Sequence, residues 1–296
     1  MAVESVKVRG FGIDAARFVP PALDHAVERG SLIAAIDSVP APARWLCAPS
    51  GAGKSTLVAD VARHHAGNVI WYRLDERDDD PAFFFGEWLR HVRLRLSVDE
   101  LPHFSDSDRG QEVAFARRLL AALMPNLAAP LLLVFDDLHK LACARTSAVL
   151  AALASAAGAQ LRLIFAGQQP PPVEFYGAIA ERRLALCGDV DLRFTPADCL
   201  ALARRLRLHA PSGDELHALT GGHAAAPFHC GHLHCNHNIP TTATNNLYKP
   251  YNKQSSLLYS VPTSTSSTPS LLPASRLPSS TDFLYNRNQQ PLQALQ

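Results

Sequence analysis

Residues 48–56 read Ala-Pro-Ser-Gly-Ala-Gly-Lys-Ser-Thr, and they stand between an apolar run at 44–48 and a helical pattern at 55–66. Glycines at positions 51 and 53 let the backbone curl so that several N–H groups can point at one phosphate. A strand, a glycine-rich turn ending in Gly-Lys-Ser and a helix together form the pattern of a P-loop. The stretch therefore predicts an α/β fold with a phosphate site at the start of the helix.

Each position of this loop has an expected role. Lys54 is expected to place its charge on the β and γ phosphates and to assist catalysis, and Ser55 to offer its hydroxyl to Mg²⁺. The following helix adds its N-terminal dipole. Ala48 stands where the pattern has its first glycine, which is a departure from it. The predicted cofactor-binding residues are Ser50, Gly51, Ala52, Gly53, Lys54, Ser55 and Thr56.

A second apolar run, residues 131–135, ends in two carboxylates, Asp136 and Asp137. A continuous apolar run is typical of a strand buried on both faces. Asp136 is expected to hold Mg²⁺ opposite Ser55, and Asp137 to polarise the attacking water or to sense the γ phosphate. Because successive side chains of a strand point to opposite faces, only one of them can face the nucleotide directly unless the strand has ended.

Short β-type runs alternate with helical patterns along most of the chain, which predicts a parallel sheet flanked by helices. The predicted strand at 69–74 lies between the two motifs in sequence, and this favours the division of P-loop proteins that has an additional central strand. The predicted strands are 44–48, 69–74, 131–135 and 161–166, and the predicted helices are 55–66, 81–96, 111–123, 146–157 and 199–208.

The composition excludes several classes of protein. The chain has 296 residues, of which 47% are hydrophobic, which is enough for one or two globular cores. A formal net charge of +1 argues against a protein that binds nucleic acid or a membrane surface by bulk electrostatics. No apolar run is long enough to span a membrane, and the N-terminus lacks a signal-peptide core. We therefore expect a cytoplasmic chain without membrane contact or direct DNA binding.

The composition changes abruptly near residue 227. Charged residues number 50 among the first 226 but 5 among the last 70, where Ser, Thr, Asn and Gln make up 29. Such a segment lacks both charge and periodic apolar faces, so residues 227–296 are predicted to be a disordered tail. A natural linker and a change of reading frame, or a foreign insertion, are both compatible with the break.

The predicted organisation is then lead-in helices at 1–40, a P-loop core at 41–190 and the start of a helical lid at 191–226. Thr195, Pro196 and Asp198 form an N-cap, an N1 proline and a first-turn acid that begin a helix there. Six histidines and cysteines crowd residues 229–237, but structural zinc sites draw ligand pairs from two separated turns. Adventitious metal capture or no role is favoured over a specific zinc site.

Other residues have plain explanations. The acidic run at 75–80 is expected to be a solvated turn with charges in the first turn of the next helix. Phe83, Phe84, Phe85 and Trp88 are expected to pack that helix rather than to bind a ligand. His139 is expected to be a cap or surface residue.

Four segments together resemble one family: APSGAGKST, VIWYRLDERDDDPAFFFGEWL, LLLVFDDLHKL and LTGGHAAA. They are similar to the nucleotide-binding domain of MalT-like regulators, which are LuxR-type transcriptional activators of the signal-transduction ATPase class. The resemblance covers residues 15–226 and implies that ATP binding with slow hydrolysis sets a switch, with self-association or a regulatory protein as partner. The sensor array and helix-turn-helix of that family are not visible, which implies a truncated form.

One departure and two alternatives accompany the resemblance. Gln168 stands where the family usually has an arginine, so ATP would bind but be hydrolysed poorly if that arginine senses the γ phosphate. The composition break leaves open a fragment without regulatory activity. A P-loop small-molecule kinase is a more distant alternative, because kinases share the phosphate cradle.

Overall fold

The computed structural model describes residues 13–98, 100–207 and 212–225, all within one compact unit, Met1–Ile239. The predictions for residues 1–12, for the tail and for the histidine and cysteine cluster lie outside these residues. The described α-helices are α1 (Gly30–Ser38), α2 (Lys54–His64), α3 (Pro81–Leu96), α4 (Glu112–Leu123), α5 (Ala144–Ala156), α6 (Tyr176–Ala180), α7 (Asp189–Leu192), α8 (Pro196–Arg205) and α9 (Gly213–Thr220). The described strands are β1 (Ala43–Cys47), β2 (Asn68–Arg73), β3 (Leu131–Asp136), β4 (Leu161–Gly167) and β5 (Leu184–Cys187).

The five strands form one parallel sheet in the order β2-β3-β4-β1-β5. The strand that leads into the glycine-rich loop, β1, is separated from the acid-ended strand β3 by β4. This is the α/β arrangement of P-loop NTPases with an additional central strand, and it confirms the predicted fold class. The reason given from the sequence was wrong, because the run at 69–74 forms the edge strand β2 and the separating strand is β4. Chain order does not fix spatial order when every connection is a crossover.

Helices cover both faces of the sheet. On one face, α3, α4, α5 and α6 pack a core rich in aromatic rings, and on the other α1 and α2 pack a smaller core. Phe84, Phe85 and Trp88 of α3 are fully buried, which confirms the packing role predicted for them, whereas Phe83 is only partly buried. Burying one such side chain stabilises a fold by roughly 1.5–3 kcal/mol, so this face holds the sheet firmly in position.

The acidic run at 75–80 is a solvated turn only in part: Asp80 is exposed and caps α3 as expected, but the expectation was wrong for Asp78 and Asp79. Asp78 is fully buried, where it accepts hydrogen bonds from the Tyr72 hydroxyl at 2.7 Å and from the Arg17 guanidinium. Asp79 accepts two backbone N–H groups just ahead of α5, each at 2.8 Å. The run therefore connects the N-terminal segment, the end of β2 and α5 through hydrogen bonds.

A third, still smaller core joins α8 and α9 through Phe194, Cys199, Leu202 and Leu216. The capping pattern predicted at Thr195 is confirmed, since its hydroxyl accepts the N–H of Asp198 at 3.2 Å. Strand β5, by contrast, was not predicted, because its apolar run, Leu184–Cys187, is only four residues long. None of the described helices combines the length and hydropathy needed to cross a membrane.

Candidate functional site

The loop at 48–53 requires glycine at two positions. Gly51 and Gly53 have φ values of +77° and +86°, in the left-handed region that favours glycine. A Cβ on Gly51 would lie 2.8 Å from the Cβ of Ala225, and one on Gly53 would lie 3.3 Å from that of Ala224. The chain segment after α9 thus passes close over the loop: a side chain at position 51 would collide with it, and one at position 53 would make a tight contact.

Ala48, in place of the first glycine of the pattern, fits this backbone. It has no positive φ and its side chain is buried in the core beside α2. Its N–H donates to the carbonyl of Gly167 at 3.3 Å, so the residue still lies against the end of β4. Because the position needs neither left-handed backbone nor open space, alanine preserves the loop.

Lys54, the first residue of α2, turns its ammonium back into the loop. Nζ donates to the carbonyl oxygens of Ala48 at 2.7 Å and Pro49 at 2.9 Å, and the side chain is buried. Ala52 is also buried, and its N–H donates to Pro49 at 3.3 Å, whereas Ser50 is exposed at the tip. A cationic group therefore lies within the curve of the loop. There, phosphate oxygens could replace the two carbonyls as acceptors of its hydrogen bonds.

Ser55 and Asp136 are brought into direct contact. The Ser55 hydroxyl donates to Oδ1 of Asp136 at 3.1 Å, and the N–H of Asp137 donates to the same oxygen at 3.0 Å. Asp136 is 1% exposed, and this burial raises the pKa of its carboxyl while the Ser55 hydrogen bond opposes the rise. Two hard oxygen donors beside the loop are a donor set that Mg²⁺ prefers.

Asp137 also reaches this edge of the sheet. Strand β3 ends at Asp136, and Asp137 has a left-handed φ of +60°, so the alternation of faces is broken. One nitrogen, Nε of Arg73, lies 3.9 Å from Oδ2 of Asp136 and 3.9 Å from Oδ2 of Asp137. The carboxylates of Asp136 and Asp137 therefore both lie next to the same guanidinium at the carboxyl edge of the sheet.

Two residues at this edge were missed or misjudged from the sequence. His139 was expected to be a cap or surface residue, but its ring is largely buried, with Nε2 2.8 Å from Nε2 of Gln168 and Nδ1 4.0 Å from Oδ1 of Asp137. Arg73 was not singled out. It could have been, because the carboxyl ends of parallel strands meet at one edge and Arg73 ends the strand beside β3.

A cavity of about 260 Å³ adjoins the loop. Gly53, Thr56 and Leu57 form one wall, residues 22–29 contribute another, and Phe194 and Ala224 close it from the side of α8 and α9. The lining combines apolar side chains with a few polar groups, as small-molecule sites do. Thr56, a predicted binding residue, thus faces this cavity, whereas Lys54 and Ser55 lie at the loop itself. Within the described residues, no group of three or more His, Cys, Asp and Glu side chains is placed to hold a metal.

Comparisons with known proteins agree with the fold and go no further. No family model and no curated protein matches the chain. One similar solved structure is the Walker-type ATPase PABY2304 of Pyrococcus abyssi, with 13% identity and a TM-score of 0.40 over 71% of this chain and 68% of that one. Another, a structure of Drosophila ORC bound to AT-rich DNA and Cdc6, has 15% identity and a TM-score of 0.36 over 58% and 62%. Likenesses this distant carry no functional argument.

Proposed function

We propose that the chain binds ATP with Mg²⁺ at residues 48–56 and serves as a nucleotide-dependent switch with slow or no hydrolysis. The contact that carries this proposal is the 3.1 Å hydrogen bond between Ser55 and Asp136, formed beside a loop whose curve encloses the Lys54 ammonium. The two candidate magnesium ligands and the phosphate-binding cation are brought to this edge of the sheet by two elements, the start of α2 and the end of β3. A chance Gly-Lys-Ser at the start of a helix would not bring a buried carboxylate to its serine.

Each residue of the proposed site would have a separate role, set by its chemistry. Bound Mg²⁺ would neutralise the phosphate charge that otherwise repels a nucleophile. The backbone N–H groups of 51–54 and the Lys54 ammonium would hold the β and γ phosphates, while Ser55 and Asp136 would hold the metal, the carboxylate acting through water. Asp137, at the end of β3, would orient a water and accept its proton.

The cavity beside Thr56 is a candidate site for the nucleoside part of the nucleotide. It opens directly from the loop at Gly53, so a nucleotide whose phosphates follow the loop would direct its base toward residues 22–29. Arg29 of that segment lies 4.8 Å from the ring centroid of Phe194, so a cation stacked on an aromatic ring borders the cavity. A bound base would then contact α8 at Leu202 and the segments beside α8 and α9 at Phe194 and Ala224.

Slow turnover follows from Gln168. A cation at the end of β4 would stabilise charge that develops on the transferred phosphoryl group, and a neutral amide supplies less stabilisation. Here the Gln168 amide is also engaged with His139. Together with the resemblance to MalT-like regulators, this supports a switch that is held by bound nucleotide, with self-association or a regulatory protein as its output.

Equilibrium binding of ATP to the wild-type chain and to Lys54→Ala tests the proposal. Removing a buried cation that pairs with phosphate should weaken binding by roughly 2–5 kcal/mol. Lys140→Ala is the matched control, since that lysine is exposed and its Nζ lies 3.9 Å from Glu76 rather than at the loop. Unchanged affinity in Lys54→Ala would refute the site. A wild-type chain that binds no nucleotide would instead favour the fragment alternative.

A further inference from the structure

Arg73 occupies a position that neither the loop motif nor the acid-ended strand assigns. It is the last residue of β2 and pairs in register with Asp136 on the neighbouring strand. Because register partners in parallel strands share a face, its side chain emerges on the face of α2 and the glycine-rich loop. The Nε of Arg17 donates to its carbonyl at 3.0 Å, so the backbone from which the side chain extends is fixed.

The guanidinium of Arg73 lies between the two acids and pairs with both only electrostatically. Its Nε is 3.9 Å from one oxygen of each carboxylate, beyond hydrogen-bond distance. Within residues 13–98, 100–207 and 212–225, this guanidinium donates no hydrogen bond to a protein atom, and its side chain is 36% exposed. Five N–H donors in a planar fork are thus available to an oxyanion, which is the geometry that binds phosphate best.

The charges at this edge indicate which anion the N–H groups of Arg73 would bind. When Mg²⁺ binds at Ser55 and Asp136, it neutralises the carboxylate that attracts Arg73, and the same ion draws a terminal phosphate to this edge. The guanidinium would then be attracted most strongly to that phosphate. A diphosphate would lack this terminal group, so the interaction would form only with the triphosphate.

We propose that Arg73 binds the terminal phosphate of a nucleoside triphosphate, and that it is the residue by which this site distinguishes triphosphate from diphosphate. It would supply, from the end of β2, the charge that Gln168 does not supply from the end of β4. The inference rests on the proposed function, because it requires a nucleotide in the loop.

The test compares the affinities of AMP-PNP and ADP, both with Mg²⁺, for wild type, Arg73→Ala and Arg73→Gln. Losing a charge-assisted phosphate contact should weaken AMP-PNP binding about 10- to 100-fold, while ADP binding should change less than about twofold. Arg73→Lys should retain part of the preference, since it keeps the charge but not the fork. Arg77→Ala is the matched control, because Arg77 is exposed, its guanidinium pairs with Asp75 at 2.7 Å, and its loss should leave both affinities unchanged.

The outcomes separate the two proposals. If wild type binds both nucleotides and Arg73→Ala weakens both equally, Arg73 only supports Asp136 and the inference is overturned. If neither affinity changes, it is overturned as well. Wild type that binds neither nucleotide overturns the proposed function itself. Arg73→Gln keeps most of the side-chain stem, so a wild-type melting temperature for this variant shows that the loss reports charge rather than folding.

Discussion

Replacing Gly51 with alanine should destabilise the protein and open the loop. The left-handed backbone at φ +77° costs a residue with a Cβ about 1–2 kcal/mol. The new Cβ would also stand 2.8 Å from the Cβ of Ala225, so that segment must move. Its movement would break the hydrogen bond from the Ala225 N–H to the Gly51 carbonyl, 2.9 Å long, which contributes about 1 kcal/mol.

The sum is a loss of roughly 2–3 kcal/mol, or about 4–12 °C in melting temperature for an ordered region of about 200 residues. Gly86→Ala provides a control with the same chemical change and the opposite sign. Gly86 lies in the exposed face of α3 with nothing within 4 Å of an added Cβ. Alanine there should stabilise the helix by about 1 kcal/mol.

Thermal unfolding of the two variants beside wild type measures both signs at once. A Gly51→Ala melting temperature equal to or above that of wild type would refute the left-handed loop and the chain segment lying over it. If Gly86→Ala lowered the melting temperature, the assay would not be reporting helix propensity, and the comparison would fail on its control.

Two further predictions concern titratable groups. Burial raises the pKa of Asp136, so the charged carboxylate lowers the stability of the fold at neutral pH. Asp136→Asn should therefore stabilise the chain against thermal unfolding by roughly 0.5–2 kcal/mol. The same variant should remove the Mg²⁺ dependence of triphosphate binding. This gain should shrink as pH falls and the carboxyl protonates, and a destabilised Asp136→Asn would contradict the argument. Burial against Phe18 lowers the pKa of His91 to about 4, below its unfolded value of about 6.5, so stability present above pH 6.5 should be lost as pH falls toward 4. The loss of folding stability should be on the order of 1 kcal/mol after solvent screening. His91→Phe cannot be protonated and should not show this loss. Melting temperatures of wild type and His91→Phe that fall in parallel with pH would contradict this prediction.

The sequence could predict the layered fold because its strongest signals are local. A curled glycine loop needs glycine where φ is positive, and a strand buried on both faces needs an unbroken apolar run, so Gly51, Gly53 and residues 131–135 were readable directly. The contact between Ser55 and Asp136 was foreseeable for the same reason, since a strand end and a helix start must meet at the carboxyl edge of the sheet.

Features that depend on the order of the strands in the sheet, or on contacts between residues distant in sequence, could not be predicted. The edge position of β2 and the central position of β4 follow from how the crossovers pack, and this also hid the role of Arg73. Asp78 was misjudged because its burial is set by Arg17, which is distant in sequence. The segment over the loop at Ala224 and Ala225 lies in the stretch LTGGHAAA, which carried only a family resemblance, and no local pattern indicated where it would lie.

The most direct test of the central claim is calorimetric titration of ATP into the wild-type chain, first with excess Mg²⁺ and then with EDTA. A glycine-rich loop that works with Ser55 and Asp136 predicts one site per chain and an affinity at least about tenfold weaker when the metal is removed. Absence of binding in both titrations, or equal affinity in the two, would contradict a magnesium-dependent nucleotide site at this loop.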